Sequence, residues 1–421
     1  MPKVNLLERI KYSFAGNQLS SIFYRFLRVH ASFMVFTTLP SVFINTYLMG
    51  QTNNFNVVLL YNAMVYLFSA FGMFFSAAVI HRFSSGAVSL VGIIGYNLLY
   101  LQLILYGEKA PDFAVLLGIT AGLAGSFYWM SYSNLVTEYT DLQNRDSGLA
   151  VINITVSFIN LLVPLISGIL ISLVGGINGY YTVFGLAFVI AVITAVGVIR
   201  LPKASCALGA VHYGDTFSHV WKHKCLLYGI LAQGAMGMRE GVFSFILNII
   251  LYSMIKNEAL VGFNTFLSGG AAIASFMVIN RIVRVHNRMK FMRIAVAALF
   301  AYSLCTIFTL NPVVVLLFTA VNSLFAGFIT NSCFVSFLDA VQVVPSSGEK
   351  RPELFAMKEL ALAIGRCIGI LVIPLMSLID EESMLWQAVA LSILTLAQLI
   401  TAFLCRNTIQ LTKETRKEES A

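Results

Sequence analysis

Between positions 225 and 254 an otherwise apolar stretch carries Gln233, Gly237, Glu240, Ser244 and Asn248 at three- and four-residue intervals, which puts them in one stripe down an α-helix. An ionisable group such as Glu240 is retained in that setting where it meets water, an ion partner or a ligand, so proton exchange and cation pairing are the chemistry open to it. Arg239 stands next to it, about 100° around the helix, and the two cannot share a face. Gly234, Gly237 and Gly241 would let a neighbouring helix come close enough for the long Arg239 side chain to reach sideways. Arg366 is the other cation inside an apolar run, two helical turns after Glu359. These four charges allow two readings. They form structural ion pairs that hold the C-terminal half together, or Glu240 and at least one arginine bind a solute or carry a proton.

Other polar rows lie in neighbouring apolar runs. In GSFYWMSYSN, from Gly125 to Asn134, Trp129 and Ser133 share a face with Ser126, and Tyr128 and Tyr132 share the next. Aromatics so placed can stack on an organic solute and donate hydrogen bonds; the rival reading is an aromatic belt at the membrane interface. Thr37, Ser41 and Asn45 make an i, i+4, i+8 row, with His30 nearer the start of the same run as a proton-relay candidate or an interfacial residue. Asn322, Asn331, Ser332, Ser336 and Asp339 mark a later run, and Asn153, Ser157 and Asn160 another. Hydroxyls and amides of this kind also serve as interhelical hydrogen-bonding groups. No P-loop, G-x-S-x-G, H-E-x-x-H or C-x-x-C pattern occurs, so ATP hydrolysis, acyl transfer and zinc chemistry have no residue support and an enzyme is not expected. The six cysteines have no paired spacing and read as small apolar fillers; neither a metal nor a cofactor is expected.

The elements that must position these residues are membrane helices. Charged residues make up 11% of the chain and hydrophobic ones 58%, against roughly a quarter and a half in a soluble domain. The apolar runs lack strand alternation and are long enough to span a bilayer, where helices satisfy their own backbone hydrogen bonds. They predict spans at 23–49, 55–80, 86–107, 112–137, 147–174, 177–200, 225–254, 259–281, 290–310, 312–343, 355–379 and 384–405. The first run is too long for a signal-peptide core and is expected to stay as the first helix. Of the 27 Lys and Arg residues, 23 fall in the N-terminal segment, every second loop, the central stretch and the tail. Lys109 and Lys256 alone lie in the alternate loops, which predicts both termini in the cytoplasm of a multi-pass inner-membrane protein. The charge of +8 therefore reads as topology, and no nucleic-acid partner is expected.

The polar stretch 201–224 divides the spans six and six, which predicts an N-terminal bundle at 1–200, a cytoplasmic linker and a C-terminal bundle with its tail at 225–421. Val79-Ile80-His81-Arg82-Phe83 is echoed by Val278-Ile279-Asn280-Arg281-Ile282, and Leu162 to Ser167 by Val372 to Ser377, in matching order at matching helices. This plan resembles the major facilitator superfamily, an all-α integral membrane protein fold of twelve transmembrane helices in a 6+6 pseudo-repeat. The family signature after the second helix, G-x-x-x-D-R-x-G-R-R, meets only Arg82 in the stretch Ala77 to Gly86, and the second copy keeps Arg281 with Asn280 in the acidic place. The chain thus resembles an atypical bacterial branch.

The resemblance implies that the first, fourth, seventh and tenth helices line a central cavity. On that plan Arg239, Glu240, Arg366, Trp129, Tyr128, Tyr132, Asn45, Ser41, Gln233, Ser244, Asn248 and Asn331 are substrate-binding candidates. Glu240 is the proton carrier, and Arg82, Arg281, Asp339 and Glu138 are gating candidates. The expected function is secondary active transport of a small organic solute, anionic and proton-coupled, by a monomer embedded in the bilayer. The rivals are an exporter or flippase of an amphipathic lipid-like molecule and a non-transporting membrane receptor or scaffold.

Overall fold

Each apolar run forms a long helix. The computed structural model describes residues 19–80, 83–140, 145–202, 213–283, 287–347, 350–377 and 385–420. In chain order the spans are α1 Ser21–Thr52, α2 Phe55–Ile80, α3 Ser85–Tyr106, α4 Ala114–Tyr139, α5 Arg145–Val174 and α6 Gly176–Ile199. They continue with α7a Lys224–Phe243, α7b Ile246–Ile255, α8 Glu258–Ile282, α9 Arg288–Phe308, α10 Pro312–Val343, α11 Arg351–Ser377, α12a Leu385–Leu396 and α12b Gln398–Ser420. Short polar residues start several of them. Ser20, Ser84, Asn257 and Asn311 each accept a hydrogen bond from the backbone N–H three residues on, which satisfies one of the donors a helix start leaves open. Asn53 and Lys256 end α1 and α7b at φ of +52° and +53°, so the first hairpin of each half turns on a left-handed residue.

Three features depart from the sequence expectation. The seventh span is broken after Phe243, because Phe245 leaves helical geometry at φ −134°. The linker contains a helix, Tyr213–Lys222. The twelfth span continues from the expected 405 to Ser420. Apolarity marks where lipid ends, whereas Lys, Glu, Arg and Gln keep the backbone helical in water.

Within the first six spans α4 packs on α2 and α3, α6 on α3, and α1 on α5 and α6; within the second six α7 packs on α11 and α12, and α10 on α8, α9 and α12. Across the halves α5 meets α8, α2 meets α11, and α1 meets α7b. Large apolar side chains cover the outside, with Leu173, Ile199 and Phe308 each more than 60% exposed, a surface that water would not tolerate and hydrocarbon does. Among the described residues ten stretches are long and apolar enough to cross a membrane, one of them running through both α3 and α4. Five charged residues, Arg351, Glu353, Lys358, Glu359 and Arg366, lie along α11.

At the far end, where α1 turns into α2, polar bonds join the halves. Tyr180 donates to Glu258 Oε1 at 2.9 Å, Lys256 Nζ to Asn53 Oδ1 at 3.0 Å, and the Ala259 N–H to Ser172 Oγ at 3.0 Å. Gly168 and Gly262 face each other in the same joint, where a Cβ on Gly262 would stand 2.7 Å from the Pro164 carbonyl.

Candidate functional site

Pro40 lies inside the continuous helix α1 and Ser244–Phe245 break α7, and the central cavity opens beside both. Its larger compartment, about 350 Å³, is walled by α1 (Thr37, Ser41, Asn45), α2 (Asn62, Tyr66), α3 (Tyr96, Tyr100) and α7 (Ser244, Asn248). A second compartment of about 260 Å³ lies among α7, α8 and α10, walled by Arg239, Glu240, Asn264, Thr265, Ser268 and Asn322. Val42, Ser244 and Asn248 border both. The wall repeats between halves: Asn62 Nδ2 donates to Asn45 Oδ1 at 2.8 Å, and Asn264 Nδ2 donates to Asn248 Oδ1 at 2.8 Å.

The charged groups separate into two settings. Arg366 Nη2 donates to Glu240 Oε1 at 2.6 Å, and its guanidinium lies 5.0 Å from the centre of the Tyr66 ring. The Tyr66 hydroxyl in turn stands 2.8 Å from Ser244 Oγ and 3.1 Å from the Gly241 carbonyl, so one tyrosine of α2 ties the first half to the ion pair of the second. Arg239 is different. It is only 3% exposed, donates from Nη1 to Asn322 Oδ1 and lies over the Phe243 ring at 5.2 Å. Its Nε has no hydrogen-bond partner, and among the described residues it forms no ion pair. The compartment it lines thus holds a cation with no carboxylate in ion-pair contact among the described residues, Glu240 being turned to Arg366, and the Asn264 carbonyl oxygen is also buried and unbonded in that wall. Glu359 bonds Lys358 at 2.6 Å, and Arg366 takes Glu240 as its ion partner.

The remaining candidates distribute as follows. Ser41, Asn45, Ser244 and Asn248 border the cavity. Gln233 is buried in α7a with its Nε2 unbonded, and neither it nor Asn331 is among the cavity walls. The fourth-helix aromatics stand elsewhere than on the cavity wall. Tyr128 stacks on Phe33 and bonds His30 Nδ1 at 2.9 Å, while Tyr132 stacks on the same imidazole at 4.4 Å. Trp129 is 41% exposed and packs edge-on against Tyr132. The packing of α1 on α4 thus occupies the rings of Tyr128 and Tyr132, with His30 in the same cluster. Asp339 bonds Arg288 of α9 at 2.9 Å, within its own half, and Glu138 is exposed at the end of α4. Arg82 lies outside the described residues, as does the side chain of Arg281.

Asn62, Tyr66, Tyr96 and Tyr100 went unmarked because they sit on the second and third helices. Their i, i+4 spacing in two apolar runs was the available signal.

A bundle of membrane helices in two packed sets of six, with a polar cavity between them, defines the carrier class of helical membrane proteins. The chain belongs to the Major Facilitator Superfamily, whose sequence model matches residues 25–370. Two solved structures share its fold. A mutant of the nucleoside transporter NupG is 13% identical with a TM-score of 0.68, covering 92% of this chain and 100% of that one. The D-xylose-proton symporter is 11% identical with a TM-score of 0.71, covering 91% and 97%. In sequence, the "Uncharacterized protein YqgE" of Bacillus subtilis (strain 168) is 23% identical over 256 residues, 60% of this chain and 58% of that one, so the match spans less than two thirds of the relative's length. The "Uncharacterized protein in sodM 3'region" of Geobacillus stearothermophilus is 25% identical over 170 residues, 40% of this chain and 74% of that one.

Proposed function

We propose that the protein is a secondary active transporter that carries a small organic solute bearing one anionic group across the cytoplasmic membrane by alternating access, coupled to protons through Glu240. The observation that carries this reading is the contrast between the two arginines. Arg366 already has its carboxylate, whereas Arg239 is buried in the cavity wall without one, so a carboxylate or phosphate entering that compartment would supply the missing charge. The amides, hydroxyls and tyrosine rings of the larger compartment suit the polar or aromatic remainder of such a solute.

The same pair supports proton coupling. When Glu240 takes up a proton its carboxylate charge is lost, the Arg366 guanidinium is freed, and the second cation becomes available to the solute anion. Loss of the proton restores the Glu240–Arg366 pair and expels the anion. Two halves of six helices rock about the cavity, and the basic clusters of the termini support a cytoplasmic near end.

The test is counterflow in proteoliposomes with a panel of carboxylated and phosphorylated metabolites. Arg239→Gln should raise the KM about ten- to a hundred-fold, the range of one lost charge-assisted hydrogen bond. Glu240→Gln should exchange solute yet fail to accumulate it under an imposed proton gradient. Equal transport of neutral and anionic analogues by the parent, or accumulation by Glu240→Gln, would overturn the proposal.

A further inference from the structure

A groove of about 330 Å³ lies between α1 and α6 on the outer face of the first half, away from the central cavity. Its near-end rim is formed by Arg25 and Arg28 at the start of α1 and by Arg200 at the end of α6. Among the described residues none of these three forms an ion pair, and the side chain of Arg28 bonds only the carbonyl of Tyr24 in its own helix, at 3.4 Å. Below the rim the floor is mostly apolar, with Val29, Ile193 and Gly197 beside Ser32 and Thr194, and the Thr194 hydroxyl donates to the Ile190 carbonyl at 2.7 Å. Gly197 keeps it open, because a Cβ there would stand 3.1 Å from Val29 Cγ2. The α6 face beside the groove is turned outward, with Ile193 62% and Ile199 67% exposed, so its surroundings are hydrocarbon. From Ile193 to Arg200 the helix rises about 10 Å, within the roughly 15 Å of one leaflet's hydrocarbon.

The occupant must therefore match three cations at one end and an apolar slot opening to lipid at the other. We propose that this groove binds an anionic glycerophospholipid. Its phosphate sits among Arg25, Arg28 and Arg200, and one acyl chain lies along Val29, Gly197 and Ile193. A free anion would use the rim and leave the floor bare.

The test is native mass spectrometry of the full chain in detergent, titrated with phosphatidylglycerol, phosphatidylcholine and soluble glycerol 3-phosphate. The parent should bind phosphatidylglycerol in preference to phosphatidylcholine. Each Arg→Gln change should weaken that binding roughly five-fold, and the triple variant R25Q/R28Q/R200Q roughly a hundred-fold. Gly197→Leu, which fills the floor and leaves the rim intact, should weaken phosphatidylglycerol and leave glycerol 3-phosphate unaffected. If the triple variant does not fold, Arg200→Gln and Gly197→Leu carry the test. Undiminished phosphatidylglycerol preference in those variants overturns the proposal. Full displacement of the lipid by an equal concentration of glycerol 3-phosphate also overturns it, since the site would then be one for a free anion.

Discussion

At the scale of single residues, Tyr66 is where the two halves touch the ion pair. Its hydroxyl bonds α7 and its ring lies under Arg366, so two functions of one side chain can be separated by substitution. Tyr66→Phe keeps the ring and loses the hydroxyl; we expect about 1 kcal/mol less stability in a denaturant or thermal titration, with solute affinity little changed. Tyr66→Ala also removes the cation–π contact and should cost about 1–2 kcal/mol more. Arg366→Lys keeps the charge but loses the planar contact with Tyr66, and should weaken the Glu240 bond in spite of its conservative appearance. The polar stripe of the seventh helix was legible in the sequence because hydroxyls, amides and a carboxylate stand out at helical spacing in an apolar run. Tyr66 was not, because a tyrosine among phenylalanines carries no mark of which neighbour its hydroxyl meets.

Among the elements, the closest approach is α7 against α11. Gly365 and Gly369 face the carbonyls of Gly234 and Met238, and Gly241 packs on the Cα and Cβ of Arg366. That approach is what lets Arg366 reach Glu240. Gly365→Val should therefore force the helices apart, costing about 1–3 kcal/mol or more from overpacking, and should lower both melting temperature and solute binding. A change of similar size at Gly185, which has open space around it, should be tolerated and serves as the control. The glycines of α7 announced a close neighbour in the sequence, but not that the neighbour would be α11. The span boundaries were legible to within a few residues since hydropathy reports directly on lipid. The break after Phe243 and the helical tail to Ser420 were not, because hydropathy carries no information on backbone geometry. The fourth-helix aromatics went to the α1 contact for a related reason: spacing defines a face, and packing decides what that face meets.

Across the whole molecule, the linker helix is fastened to the second half through His219, whose Nε2 lies 2.8 Å from Ser347 Oγ. Burial, then the nearby His223, Lys350 and Lys222, hold the His219 imidazole below its ordinary value of 6.5. A group depressed in this way contributes stability above the unfolded value and loses it as pH falls through 6.5 and below. The melting temperature of the purified protein should accordingly fall as pH is lowered from 7 to 5, and His219→Gln should flatten that slope; an unchanged slope would mean other groups govern it. The far-end joint of Tyr180, Glu258, Asn53, Lys256 and Ser172 has a wider reach. At about 1 kcal/mol for each of its hydrogen bonds, parting it, as the proposed alternating access requires, needs a few kcal/mol. Tyr180→Phe should therefore bias the resting population toward the conformer parted at that end, raising the labelling rate of a cysteine placed at Ser172 by an impermeant thiol reagent. Under the proposed alternating access the joint would act as a spring constant: its stiffness would set how long the binding chamber waits on one side of the bilayer before it faces the other.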